Sequence, residues 1–385
     1  MRGNDTTAMI FAARALGRLA TPGGTLTAEL VDSEVKGALE YLQTDRQENR
    51  RFAAVLTLRE LAVGSPTLLY QWVAQIFEVI WVALRDQKVL IRESAAEAIS
   101  ACFEIITARD AQLRQQWLSR VYEEIFKGFQ THMIDAIHGS LLVLKELLVK
   151  GGMFMHGQRY RESCETVLRY KDHKDSLVRK EVVTLFPILA GYAPAEYASN
   201  YLHKCMLHLQ GLLKRDKDRN PAFIAIGKIA SAVGSAIGPY LDGILIYIRE
   251  GLALKARNKS INEAPIFECL SMIAIAVGQT LSKYMEALLG PIFSCGISEA
   301  LTQALVDMAH YIPQSKAAIQ DRLLDLLSHI LCGRPFVNLG SPYHSASLPQ
   351  IFSRDHKDPQ LIDQKEAEIA LALHTLGSFD FSGKF

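Results

Sequence analysis

A helical pattern that recurs about every 40 residues constrains the fold of this 385-residue chain more than any other feature. Five segments share it: each has an acidic turn, a basic residue near the start of a helix, and small or β-branched residues soon after. The acidic and basic positions are Asp45 and Arg50, Asp86 and Arg92, Asp135 and His138, Asp175 and Arg179, and Asp216 and Arg219. Another amphipathic helix precedes each segment, so the sequence predicts an array of helix pairs.

The period identifies the type of array. Successive basic positions lie 42, 46, 41 and 40 residues apart. A period of about 40–47 residues with two helices per unit is typical of HEAT or armadillo repeats. Sustained period-2 alternation is missing from the sequence, and no Asn-Gly or Asp-Gly turn lies between alternating segments, so strands are not expected. The sequence therefore predicts an all-α HEAT-repeat α-solenoid, a superhelix of antiparallel helix pairs.

The acidic and basic series has a structural interpretation and a functional one. An Asp in the turn can cap the following helix, and the basic side chain can reach the Asp of a neighbouring repeat. The series would then form a structural repeat ladder along the array. The functional alternative is a charged binding ridge. We favour the ladder, because solenoid stability is built from nearest-neighbour interfaces.

The apolar stretch from Arg219 to Leu252 could suggest a membrane span. Lys228 interrupts it, Gly234 and Gly238 follow, and Pro239 breaks the helical pattern. A span needs roughly 20 consecutive apolar residues. We therefore interpret the stretch as two helices, each with one buried stripe, and expect no membrane span.

Composition excludes several other classes. Lys and Arg number 42 and Asp and Glu 41, a balance that gives no overall attraction to nucleic acid. The six cysteines are scattered without a CxxC pair, so we expect reduced, mostly buried thiols in a cytosolic protein.

Motifs for catalysis are also missing. Gly227-Lys228 lacks the remaining residues of a phosphate-binding loop, and Asp380-Phe381-Ser382 has Ser in place of the Gly of a kinase Asp-Phe-Gly motif. His203 and His208 are five residues apart, which misses the i, i+4 spacing of helical metal ligands. We expect no catalytic, cofactor-binding or metal residues.

The chain divides into three predicted regions. Residues 1–332 form the HEAT-repeat solenoid. Residues 333–361 are a Pro- and Ser-rich loop or insertion, too long for an ordinary connection. Residues 362–385 contain a helix of a further, truncated repeat. The abrupt ends suggest a segment of a longer protein.

Several long strings resemble the target-of-rapamycin (TOR) kinases, which are large phosphoinositide-kinase-related Ser/Thr protein kinases. They include RGNDTTAMIFAARALGRLA, RRFAAVLTLRELA, IHGSLLVLKELL, LTQALVDMAHYIPQSKAAIQDRLLDLLSHIL and IALALHTLGSFDF, in order along the chain. The link between Val149 and Tyr160 is short where animal members carry a long insertion, which suggests a fungal or other non-animal source.

The resemblance implies a non-catalytic N-terminal HEAT region whose kinase domain lies far downstream. It implies docking of a Raptor-type or Rictor-type accessory subunit, contact with the other TOR protomer of a dimer, and contact with a Rheb-type small GTPase. It also implies a cytoplasmic protein, peripheral at lysosomal or vacuolar membranes through its partners. Without the resemblance, a freestanding HEAT adaptor such as a transport receptor or phosphatase scaffold stays open.

Overall fold

The structure is a computed structural model that describes residues 5–21, 25–44, 47–109, 111–258, 261–332 and 359–384. The regular elements in these ranges are helices, and no strand occurs among them. The predicted all-α class is confirmed. The chain divides into two compact units, Met1–Tyr192 and Ala193–Phe385.

Eleven α-helices lie in the described part of the first unit. They are α1 (Thr6–Leu19), α2 (Thr25–Thr44), α3 (Glu48–Gly64), α4 (Pro66–Leu69), α5 (Val73–Val79), α6 (Trp81–Leu84), α7 (Val89–Thr107), α8 (Ala111–Gln130), α9 (Ile134–Lys150), α10 (Gln158–Arg169) and α11 (Ser176–Tyr192). Within this unit α1, α3, α7, α9 and α11 stack side by side in chain order, and α2, α8 and α10 pack against members of that stack.

Nine further α-helices are described in the second unit. They are α12 (Pro194–Asn200), α13 (Leu202–Leu213), α14 (Asp216–Val233), α15 (Leu241–Arg257), α16 (Ala264–Val277), α17 (Ser282–Phe293), α18 (Glu299–Tyr311), α19 (Lys316–Cys332) and α20 (Pro359–Ser378). Here α14, α16 and α18 stack side by side, α13 packs on α14, and α19 packs on α20. We call the stacked helices of each unit its stacked layer.

The core follows the apolar stripes of the stacked layer. α7 buries Ile91, Ile99 and Phe103, and α16 buries Ile266, Phe267 and Leu270, each at most 1% exposed. These helices present one face to each neighbouring repeat, so most of their apolar residues are removed from water. The array is thus stabilised by burial repeated between neighbours.

The stretch from Arg219 to Leu252 forms two helices, as predicted. By length and composition alone, two segments of the described chain could cross a membrane, Asp216–Arg257 and Ala264–Phe293, and a third if the bent pair Glu48–Gly64 and Pro66–Val79 counts as one span. Gly234 and Gly278, with φ of 58° and 51°, end α14 and α16 and divide the two unbent segments. α14 has 18 residues and begins with four consecutive charged ones, so its apolar part is shorter than a span requires.

The predicted loop at 333–361 lies outside the described residues up to position 358. The helix that follows it begins at Pro359, which is a favourable first residue because its missing N–H needs no partner there. Beyond this helix the segment from Phe379 to Lys384 turns back onto α19, where Lys316 donates to Asp380 Oδ2 at 2.6 Å and Gln320 to the Asp380 carbonyl at 2.9 Å.

Candidate functional site: the surfaces between stacked repeats

Arg92 joins two neighbouring repeats from a position that is 1% exposed. Its Nη1 donates to Asp135 Oδ1 of the next repeat at 2.6 Å and to the Asp86 carbonyl of its own turn at 2.5 Å. Its Nε donates to Nδ1 of His138 at 3.1 Å. Burial, and secondarily the Arg92 charge, lower the pKa of His138 to about 4, so its imidazole is neutral at pH 7 and can accept this bond.

The ion pair to Asp86 comes from Arg51 rather than from the predicted Arg50. Arg51 Nε lies 2.7 Å from Asp86 Oδ2, and the Asp86 side chain is 3% exposed. Arg50 instead lies over the ring of Tyr41, 5.5 Å from its centroid. Successive helical side chains point about 100° apart, so a shift of one residue moves the contact to another face. Asp45 lies outside the described residues.

The remaining predicted positions act within their own repeat. Asp175 Oδ1 accepts from the backbone N–H groups of Leu177 and Val178, at 2.9 and 3.2 Å, and so caps α11. Asp216 pairs with Arg219 at 2.8 Å, three residues later on the same helix. These residues give local contacts where we expected inter-repeat ones.

The basic residues share a role that we did not predict. Arg92, Arg179 and Arg219 each donate to the carbonyl six residues earlier, at 2.5, 2.6 and 3.0 Å. Each is the fourth residue of its helix, as is Arg51. In Arg92, Arg179 and Arg219 the guanidinium therefore connects the turn to the helix that follows it. Among the described residues, only Arg51 and Arg92 of these four form an ion pair with the next acidic turn.

A second row of contacts crosses the stacked layer of the first unit. Arg59 of α3 pairs with Glu97 of α7. Lys150 of α9 lies 2.5 Å from Glu104 of α7, and Lys145 of α9 lies 3.2 Å from Glu181 of α11. These pairs were not predicted, although an alignment of the repeats places opposite charges on consecutive helices.

A cleft of about 510 Å³ opens between α16 and α18 in the second unit. The residues that line it belong to the two helices or directly precede them: Glu263, Ala264, Phe267, Glu268, Ser271, Met272, Ser298, Glu299, Ala300, Gln303 and Ala304. Ser271 Oγ, from one of the lining residues, donates to Asp307 Oδ2 of α18. The cleft is mostly apolar, with carboxylates at its rim.

Groups for catalysis are not brought together in the described residues. No cluster of three or more His, Cys, Asp or Glu side chains there could hold a metal ion. Cys102, Cys164, Cys205 and Cys269 are buried, Cys295 is half-buried and Cys332 is exposed. Burial raises the pKa of the Cys102 and Cys205 thiols to about 12, which disfavours the nucleophilic thiolate.

The chain is similar in sequence to one part of several large kinases. It is 42% identical over 379 residues to the serine/threonine-protein kinase tor1 of Schizosaccharomyces pombe, an alignment that covers 98% of this chain and 16% of the relative. It is 37% identical over 384 residues to TOR of Arabidopsis thaliana, with 98% and 15% covered. Identity to mTor of Drosophila melanogaster is 28%. The chain thus spans about 15% of the length of these relatives.

A family model and two solved structures support the helical-repeat fold. The family model for importin subunit beta-1-like TPR repeats matches residues 164–324. Solved relatives in shape include the Kap95:Nup1 complex, with a TM-score of 0.65, 16% identity and coverage of 86% of this chain and 40% of that chain. A Kap121p mutant has a TM-score of 0.63, 11% identity and coverage of 96% and 36%. At such identities the likeness establishes the helical-repeat solenoid alone.

Proposed function

Because this chain is homologous over nearly its whole length to the HEAT-repeat region of the TOR Ser/Thr protein kinases, we propose that it is the scaffold segment of such a kinase. In this role it supports assembly of the complex and docks accessory subunits without catalysing phosphoryl transfer itself. The sequence similarity over 98% of the chain carries this proposal. The stacked helices support it, since a solenoid exposes a long surface for partners.

The partners we propose are a Raptor-type or Rictor-type accessory subunit, the other TOR protomer of a dimer, and a Rheb-type small GTPase. The complex would act in the cytoplasm, and at lysosomal or vacuolar membranes through those partners. The balanced charge of the chain and its many surface ion pairs are consistent with partners that are proteins. A freestanding adaptor such as a transport receptor is the alternative. The likeness of fold at low identity and the match of residues 164–324 to the importin subunit beta-1-like family model favour it.

Deleting the segment from a full-length kinase that carries it tests the proposal. Affinity purification of the truncated kinase should recover far less accessory subunit than the intact kinase does. Its phosphorylation of a short peptide substrate in vitro should persist, because the segment supplies no catalytic group. Unchanged recovery of both accessory subunits would contradict the proposed docking role. A control kinase carrying a Gly211→Ala substitution, at an exposed position with open space around it, should behave as the intact one.

A further inference from the structure

Helix α1 packs against α3 and leaves an apolar stripe exposed on its other side. Phe11 and Leu19 are 62% and 66% exposed although both side chains are large and apolar. Ala8 and Ala15 are exposed as well. The four positions are spaced by three, four and four residues, so they lie along one side of the helix. A contiguous apolar surface of this kind is typical of a site that binds another protein.

Two arginines lie beside this stripe. Arg14 and Arg18 are exposed, and neither forms an ion pair with a described residue. The Arg14 guanidinium lies over the ring of Phe11, 5.9 Å from its centroid. We call the stripe together with these arginines the α1 face. Its apolar surface and its positive charge favour a partner helix that carries both apolar residues and a carboxylate.

Helix α20 has an exposed face of this composition. It packs against α19 and buries Ala372 and Thr375. On another side of the same helix Leu373 is 56% exposed and Leu376 is 41% exposed. Glu366, two turns before Leu373, is exposed and forms no ion pair with a described residue. We call Glu366, Leu373 and Leu376 the α20 face, which is apolar like the α1 face but opposite in charge.

The spacing of apolar and charged residues is the same on the two faces. Seven residues separate Glu366 from Leu373, and seven separate Phe11 from Arg18, about 10.5 Å along a helix in each case. The charged residue precedes the apolar one on α20 and follows it on α1. An antiparallel alignment therefore brings Leu373 against Phe11 and Glu366 against Arg18 at the same time. A parallel alignment that pairs the apolar residues leaves the two charges at opposite ends of the contact.

We propose that copies of this chain associate head to tail, with α20 of one copy packed antiparallel on α1 of the next. The occupant of the α1 face is thus a second copy of the chain. Because the two faces differ, the contact is heterologous and adds further copies unless a ring closes. One pair of helices is a small interface, so the association is weak and depends on concentration. This contact goes beyond the docking role proposed above and does not depend on it.

Sedimentation velocity of the whole chain, at about 1 to 200 µM, tests the association. The average mass of the natural chain should rise with concentration. Phe11→Glu blocks the α1 face and Leu373→Glu blocks the α20 face, so each variant alone should stay monomeric. An equimolar mixture of the two variants should form dimers and no larger species, because only one intact face of each kind remains.

The matched control is Leu207→Glu, at a leucine of α13 that is 57% exposed and belongs to neither face. It should associate as the natural chain does. Circular dichroism should show native helix content in all three variants, because each replaces an exposed side chain. Association of Leu373→Glu by itself would indicate a contact between two α1 faces and overturn the proposal. A natural chain that stays monomeric throughout, or a mixture that forms no dimer, would overturn it as well.

Charge reversal tests the alignment. Arg18→Glu and Glu366→Arg should each weaken association about three- to tenfold at low salt. Both changes in one chain should restore it, because neighbouring copies then present opposite charges again. Glu368→Arg makes the same charge change about 200° around α20 and should leave association intact. A double variant that associates no better than either single variant would contradict the antiparallel contact. Recovery of accessory subunits is a separate measurement, so the scaffold proposal stands or fails independently.

Discussion

At the residue scale, Arg92 makes a buried interaction between two repeats. Its guanidinium is buried and satisfied by Asp135, His138 and two carbonyl groups, Asp86 and Gln87. Removing one partner of a buried pair is costly because it leaves the other charge buried without compensation. The side chain therefore fixes the position of α9 relative to α7.

We predict that Arg92→Glu lowers the free energy of unfolding by about 3–5 kcal/mol, because it places a carboxylate against Asp135. Urea denaturation followed by circular dichroism measures the change. Arg120→Glu is the matched control, since its pair with Glu78 has both side chains more than 60% exposed and exposed pairs contribute less than about 1 kcal/mol. Equal effects of the two substitutions would argue against the ladder.

His138 makes the same contact sensitive to acid. Its pKa is lowered to about 4 in the fold, from the usual value near 6.5, so the unfolded chain binds a proton more readily. Stability is therefore full above pH 6.5 and declines as pH falls toward 4. Urea midpoints at pH 7.5, 5.5 and 4.5 should fall more for the natural chain than for His138→Gln. Equal falls of the urea midpoint in the two chains would show that His138 does not cause the loss of stability in acid.

Sequence reasoning found the repeat at this scale but not every contact. It placed Arg92 at the basic position of one repeat and Asp135 at the acidic position of the next, and the two side chains form an ion pair in the structure. It chose Arg50 where Arg51 makes the ion pair, because both are basic and the choice depends on where α3 begins. Asp216 and Arg219 fit the same pattern, yet they pair on one helix because their separation of three residues already places them together.

At the scale of elements, small residues set how closely helices approach. Gly139 of α9 faces the backbone of Leu84 in α6, and a Cβ added at Gly139 would lie within 3 Å of the Leu84 carbonyl. Nothing in the local sequence distinguishes this glycine from Gly211 of α13, around which there is open space. The difference comes from tertiary packing, which the repeat period and the apolar stripe of a helix do not specify.

We predict that Gly139→Ala destabilises the chain by about 1–3 kcal/mol, because α9 and α6 must separate to admit the methyl group. Gly211→Ala, in a helix interior without such a contact, should be neutral or stabilising by up to about 1 kcal/mol. Thermal unfolding of the two variants beside the natural chain measures both. A stabilised Gly139→Ala variant would show that the close approach of α9 to α6 is not required.

At the scale of the whole molecule, the sequence settled the class and the period of the array. The repeated helix pairs predicted the fold that the structure shows, and the long matching strings predicted the kinase relatives. No sequence pattern predicted the α16–α18 cleft, because its lining depends on which residues two separate helices bring together.

The central claim is that this chain is a protein-docking scaffold, and its direct test is binding by the purified chain. The chain should be immobilised and exposed separately to a Raptor-type subunit, a Rictor-type subunit and a Rheb-type GTPase, after circular dichroism confirms its helical fold. We predict saturable, stoichiometric retention of at least one accessory subunit. Failure of the folded chain to retain any of the three would contradict the claim and leave it a purely architectural segment.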